Sequence, residues 1–253
     1  MTHATAHGAR PGRRNATAVW HSRLGRGLAV LVLALAAVEA MGQDARNLAP
    51  GFTSLPPDAR ILVAPIDVEL YSISAGGVAE PRADWTLAAQ DNMKKELGRL
   101  RERYRGDTVE LAEGTADGLG EVLALHAAVA RSISLHHGIG GIWALPTKDG
   151  KLDWSFGDAL KPLQEQSGAR YGLFIWVRDT YASAERVAAM VLMAIIGVGM
   201  SGGTQQGYAS LVDLESGRVL WFNRLARASG DLRESAKAAE TVDVLLRGFP
   251  APQ

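Results

Sequence analysis

The apolar positions of the chain fall into alternating stretches of extended and helical pattern. From Arg60 to Tyr71 a continuous apolar run, Ile61–Ala64, passes into strict alternation. That predicts a buried strand that emerges from the core at its end. Pro65 has no N–H for a ladder, so a bulge or an edge is expected there. Trp85, Ala89, Met93, Leu97, Leu100 and Tyr104 keep helical spacing behind Asp84, the expected cap. A short strand at Thr108–Leu111 precedes a second helix over Asp117–His137. Its stripe is Leu119, Val122, His126, Val129, Ile133 and His136, and Gly138 stops it. After a Gly-rich loop containing Trp143, a short helix at Asp158–Ser167 leads into a strand at Gly172–Val177. A late hairpin follows, with arms Gly207–Leu214 and Arg218–Asn223 and Gly217 in the turn. Both arms are apolar on both faces, which predicts the covered middle of a sheet. A last helix after Asp231 and Glu234 carries Leu232, Ala239, Val242 and Leu246 as its stripe. The sum is an α/β fold, a mixed sheet with packed helices and a late β-hairpin.

The first forty residues do not share this pattern. Arg10, Arg13, Arg14, Arg23 and Arg26 precede the twelve-residue apolar run Gly27–Val38, and Val38 and Ala40 stand at the −3 and −1 positions of a cleavage site. That is the form of a secretory signal peptide. Residues 1–40 are therefore expected to be removed. Residues 41–59, with Pro50, Gly51, Pro56 and Pro57, are expected to be a linker, and 60–250 a single α/β domain. Twelve residues of helix reach roughly 18 Å against about 30 Å of hydrocarbon, which disfavours a retained anchor. Composition sharpens this reading. The 253 residues carry 27 basic and 27 acidic side chains; without the leader's five arginines and Glu39, 22 basic and 26 acidic remain, a net charge of −4. With no basic cluster interleaved with aromatics, nucleic acid is not an expected partner. The absence of cysteine excludes disulfides, thiolate metal sites, a cysteine nucleophile and a lipid anchor on an amino-terminal Cys. The expected product is periplasmic or secreted, and not a lipoprotein.

Few residues offer chemistry. Gly197–Gly202 fits G-x-G-x-x-G, and Gly199–Gly203 fits G-x-S-x-G around Ser201. Both motifs need a strand before and a helix after. Here the order is reversed, and a flexible bend is expected. His126 lies roughly 15 Å along one helix from His136 and His137, too far to share a metal; it reads as a core histidine. Asp67 and Glu69 share one strand face and read as solvated charges at a strand end. No catalytic, metal or cofactor-binding residue is assigned and no cofactor is expected. The alternative is a secreted serine hydrolase using Ser201, with His126 or His137 as base and an acid such as Asp213.

Val187–Met200 holds no polar side chain. It predicts a helix over about 184–196, capped by Ser183 and apolar all round. Such a helix is a core element, meets a partner, or touches lipid. The core position ranks first. Val191, Leu192, Ile195 and Ile196 are the candidate interface if that face is open, and membrane contact ranks last.

The run Asp158–Val177, a short helix, then Gly-Ala-x-Tyr, then an apolar strand, stands beside the opening Ile61–Asp67 and the later Leu211–Trp221. Together they resemble the TolB amino-terminal-domain-like fold of curli-secretion and penicillin-binding-protein-activator lipoproteins. The resemblance implies a non-catalytic, accessory or scaffolding protein of the bacterial cell envelope. Its expected partners are another envelope protein or further copies of itself.

Overall fold

The computed structural model describes residues 46–103, 107–111, 118–228 and 230–250. The expected leader with its cleavage point after Ala40 lies outside the described residues, as do Tyr104, Asp117 and the side chain of Leu100. A mixed sheet of seven strands carries the fold: β1 Arg60–Val63, β2 Asp67–Ile73, β3 Ala79–Pro81, β4 Asp107–Glu110, β5 Tyr171–Ala182, β6 Gly203–Asp213 and β7 Val219–Arg227. Among the described residues five α-helices accompany it: α1 Ala83–Arg103, α2 Leu119–Ile133, α3 Lys161–Ser167, α4 Ala184–Ile195 and α5 Ser235–Leu245.

β5 is the axis of the sheet. On one side it pairs in parallel with β1 over Tyr171–Leu173 and with β2 over Trp176–Ala182. β1 and β2 are thus one expected strand broken at Ala64–Ile66, where the missing N–H of Pro65 interrupts the ladder. β4 and β3 continue the sheet outward from β1 and β2. On its other side β5 pairs antiparallel with β6 over eleven residues, and β6 pairs with β7.

Alternate side chains separate two cores. Val68, Leu70, Leu173, Ile175, Val177 and Leu211 join α1 through Ala89 and Met93, and α5 through Ala238, Val242 and Leu245. On the opposite face Leu62, Phe174, Trp176, Tyr208, Val212 and Phe222 join α2 and the segment bearing Leu152, Phe156, Leu160 and Leu163. This second face is covered only in part. Beyond Trp176, Arg178 and Thr180 are half-exposed, and Thr204, Gln206 and Arg224 are exposed.

Several expectations change. The hairpin is not the middle of the sheet, since β7 is a border strand. Its edge is covered by the stretch expected to be a linker: Phe222 N–H donates to Asn47 O at 3.0 Å, Ala49 N–H donates to Leu220 O at 2.8 Å, and Ala49 and Leu55 are buried. The prolines there remove periodicity, but an extended segment still satisfies a strand edge. β5 runs five residues past Val177, because Asp179 is buried among polar partners and not in water. α1 starts before Asp84, whose carboxylate accepts two hydrogen bonds from Arg82, at 3.0 and 3.2 Å. α2 passes into a π-helical turn over Ser134–Ile139, which brings His137 inward. In α5 the buried stripe is Ala238, Thr241, Val242 and Leu245, one position away from Ala239 and Leu246. Thr241 is the reason: its hydroxyl donates to Gln205 Oε1 at 3.0 Å inside the core.

Candidate functional site

α4 fills the connection between β5 and β6, beyond the last strand pair Tyr181–Gly203. Its first turn is fastened to the sheet. Ser183 Oγ accepts from Arg186 N–H at 3.2 Å, as an N-cap should. The Arg186 guanidinium donates to Ser201 O at 3.0 Å and to Ser74 O at 3.3 Å, which ties the helix to the β2–β3 turn and to the start of β6. Glu185 turns back on the helix N-terminus, where its own backbone N–H and Ser183 lower its pKa. The far end closes on itself. Val198 N–H donates to Met193 O at 3.0 Å and Gly197 N–H to Ala194 O at 3.1 Å, with Gly197 at φ 78°. This is a Schellman turn, which satisfies carbonyls that a helix end otherwise leaves open.

Between these ends no residue of α4 is buried. Val191 is 60 % exposed, Leu192 66 %, Ile195 77 % and Ile196 69 %, and Val187 and Val198 lie beside them. The four candidate interface residues therefore form one open apolar face, and the favoured core position is overturned. The cause is placement. The helix stands past the end of the sheet, where only its inner side, with Ala189, Met190 and Met193 half-buried, meets protein. A segment apolar all round cannot reveal which side is covered.

The alternative hydrolase is not assembled. Ser201 Oγ donates to Gly203 O at 3.1 Å, a local turn bond. Ser201 precedes β6 and Asp213 ends it, so at about 3.4 Å per residue the two lie roughly 40 Å apart. Asp213 accepts from Arg170 Nε at 3.2 Å and from the N–H groups of Glu215 and Ser216. His126 is fully buried, 3.0 Å from Ser210 Oγ, and stacked with Phe156 and Phe174. Burial lowers its pKa to about 4, so it is a neutral core residue as expected. His136 donates from Nδ1 to Trp143 O at 2.7 Å, and His137 from Nε2 to Arg46 O at 2.9 Å.

The carboxylates at 67 and 69 are not simply solvated. Asp67 lies 2.6 Å and Glu69 3.0 Å from the Arg178 guanidinium, which packs over the Trp176 ring. One cation on the neighbouring strand pairs with both. Sequence reasoning missed a buried polar cluster on the opposite face. Asp179 accepts from Tyr181 OH and, at 2.6 Å, from Gln205 Nε2; Gln205 Oε1 accepts from Arg227 Nε at 2.9 Å. Burial raises the pKa of Asp179. The signal available was the run Arg178–Tyr181, polar where a strand interior was due.

No family model matches the chain, and no curated protein does. Among solved structures it is similar to the PelC dodecamer from Paraburkholderia phytofirmans, at 15 % identity over 80 % of this chain and 94 % of that one, with a TM-score of 0.37. It is also similar to lipoprotein GNA1162 from Neisseria meningitidis, at 14 % identity over 73 % and 90 %, with a TM-score of 0.28. The LpoB C-terminal domain from Salmonella enterica aligns at 10 % identity over 71 % and 87 %, with a TM-score of 0.26.

Proposed function

We propose that the chain is a non-catalytic accessory or scaffolding module of the bacterial cell envelope, working by contact, with α4 as its contact element. The observation that carries this reading is the open apolar face of Val191, Leu192, Ile195 and Ile196 on a helix fastened to the sheet at one end. Large aliphatic side chains exposed together mark a place where something else binds. Ser201, His126, His137 and Asp213 are meanwhile occupied with turn and core hydrogen bonds at separate places. The charged leader and the absence of cysteine support a periplasmic or secreted product without a lipid anchor.

Fractionation of intact cells tests this reading. The wild-type chain is expected to be retained with the envelope, and the double variant Leu192→Asp, Ile195→Asp to be released into the soluble fraction with an unchanged melting temperature. Equal retention of both proteins removes α4 as the contact element. A broad fluorophosphonate probe is expected to leave Ser201 unlabelled. Labelling that disappears in Ser201→Ala would restore the hydrolase.

A further inference from the structure

We propose that the surface α4 contacts is lipid: the helix enters one leaflet of a bilayer as a wedge. The proposal rests on the reading of α4 as the contact element and narrows what that element touches. Three observations favour lipid over protein.

The first is chemical. From Val187 to Met200 the segment has no side-chain donor and no side-chain oxygen or nitrogen. A protein interface carries about one hydrogen bond per 100–200 Å² and a polar rim. Hydrocarbon requires neither.

The second is area. Twelve residues of helix give a face about 18 Å long and roughly 10 Å wide. Pairing two copies through that face alone falls short of the ~800 Å² per partner of a stable interface.

The third is the backbone. Hydrocarbon penalises open carbonyls, and the Schellman turn bonds those of Met193 and Ala194 at the end farther from the sheet attachment.

The wedge does not cross. About 18 Å of helix is too short, and among the described residues no helix is long and apolar enough to span a membrane.

The chain has no cysteine, so Leu192→Cys in the full-length protein accepts a single environment-sensitive fluorophore. Glu165→Cys, exposed on α3, serves as the control that also registers any binding through the apolar leader without involvement of α4. The probes are vesicles of phosphatidylethanolamine with phosphatidylglycerol, and vesicles of phosphatidylcholine alone, each with and without nitroxide-labelled acyl chains. The expected result is a blue shift at position 192 on vesicles and its quenching by acyl-chain nitroxide, with neither at position 165. A blue shift that follows protein concentration without lipid, and ignores the nitroxide, overturns the lipid assignment in favour of a second copy while the contact reading stands. Emission at position 192 that stays fully aqueous with lipid and at every protein concentration overturns the lipid wedge; paired with unchanged envelope retention of the Asp variant, it removes the contact reading as well.

Discussion

His126 is the residue whose surroundings constrain the protein most directly. Its imidazole is buried in an aromatic stack, and its pKa drops to about 4 because the charged form has nowhere to be solvated. The unfolded chain takes up that proton near the ordinary histidine value of about 6.5. Above that pH neither state is protonated there and the full stability is present. As pH falls from about 6.5 to about 4, the unfolded state binds the proton first and stability is lost. One site shifted this far removes about 3 kcal/mol by pH 4. His137, whose pKa burial also lowers, adds in the same direction. Denaturant unfolding at pH 7 and pH 4, compared with the double variant His126→Phe, Ser210→Ala, isolates the effect from titrating carboxylates common to both proteins. The double variant is expected to lose about 3 kcal/mol less over that range. Equal losses would mean that His126 is not held neutral by burial.

Two glycines separate turn chemistry from packing at the scale of the elements. Gly197, at φ 78°, ends α4, and an added Cβ there would meet nothing within 4 Å. Gly217, at φ 68°, turns the hairpin, and an added Cβ would stand 2.0 Å from Gly157 O. Gly197→Ala should therefore cost only the left-handed penalty of about 1–2 kcal/mol. Gly217→Ala carries the same penalty plus displacement of the Gly157 backbone, and its thermal melt should fall further. Equal melting shifts would rule out the close approach of the hairpin turn to residue 157. These elements also mark what could be read from sequence. The break at Pro65 and the turn at Gly217 are local, because each follows from the dihedrals or missing donor of one residue. The outer half of β5 was not legible, since Asp179 is buried by Tyr181 and Gln205, and Gln205 arrives from another strand. The phase of α5 was hidden by Thr241, which counts as polar until Gln205 is placed beside it. The candidate interface residues of α4 were legible as apolar. Their exposure was not, because it depends on where the sheet ends.

For the whole molecule, the expected leader at residues 1–40 and the cysteine-free chain make one further prediction. Amino-terminal sequencing of the periplasmic product should begin at Met41, directly after Ala40; a full-length protein pelleting with membranes would remove the signal-peptide reading. The sheet itself has a consequence for how this architecture can vary. β5 and β6 stay paired up to Tyr181 and Gly203, and the ladder is complete before α4 begins and after it ends. Neither core includes a residue of α4. Whatever joins those two strands is therefore a cassette. A short tight turn, a longer helix or another inserted hairpin could occupy residues 182–202 without renegotiating the interior, so the body of the fold and the tip that meets the outside can evolve on separate terms.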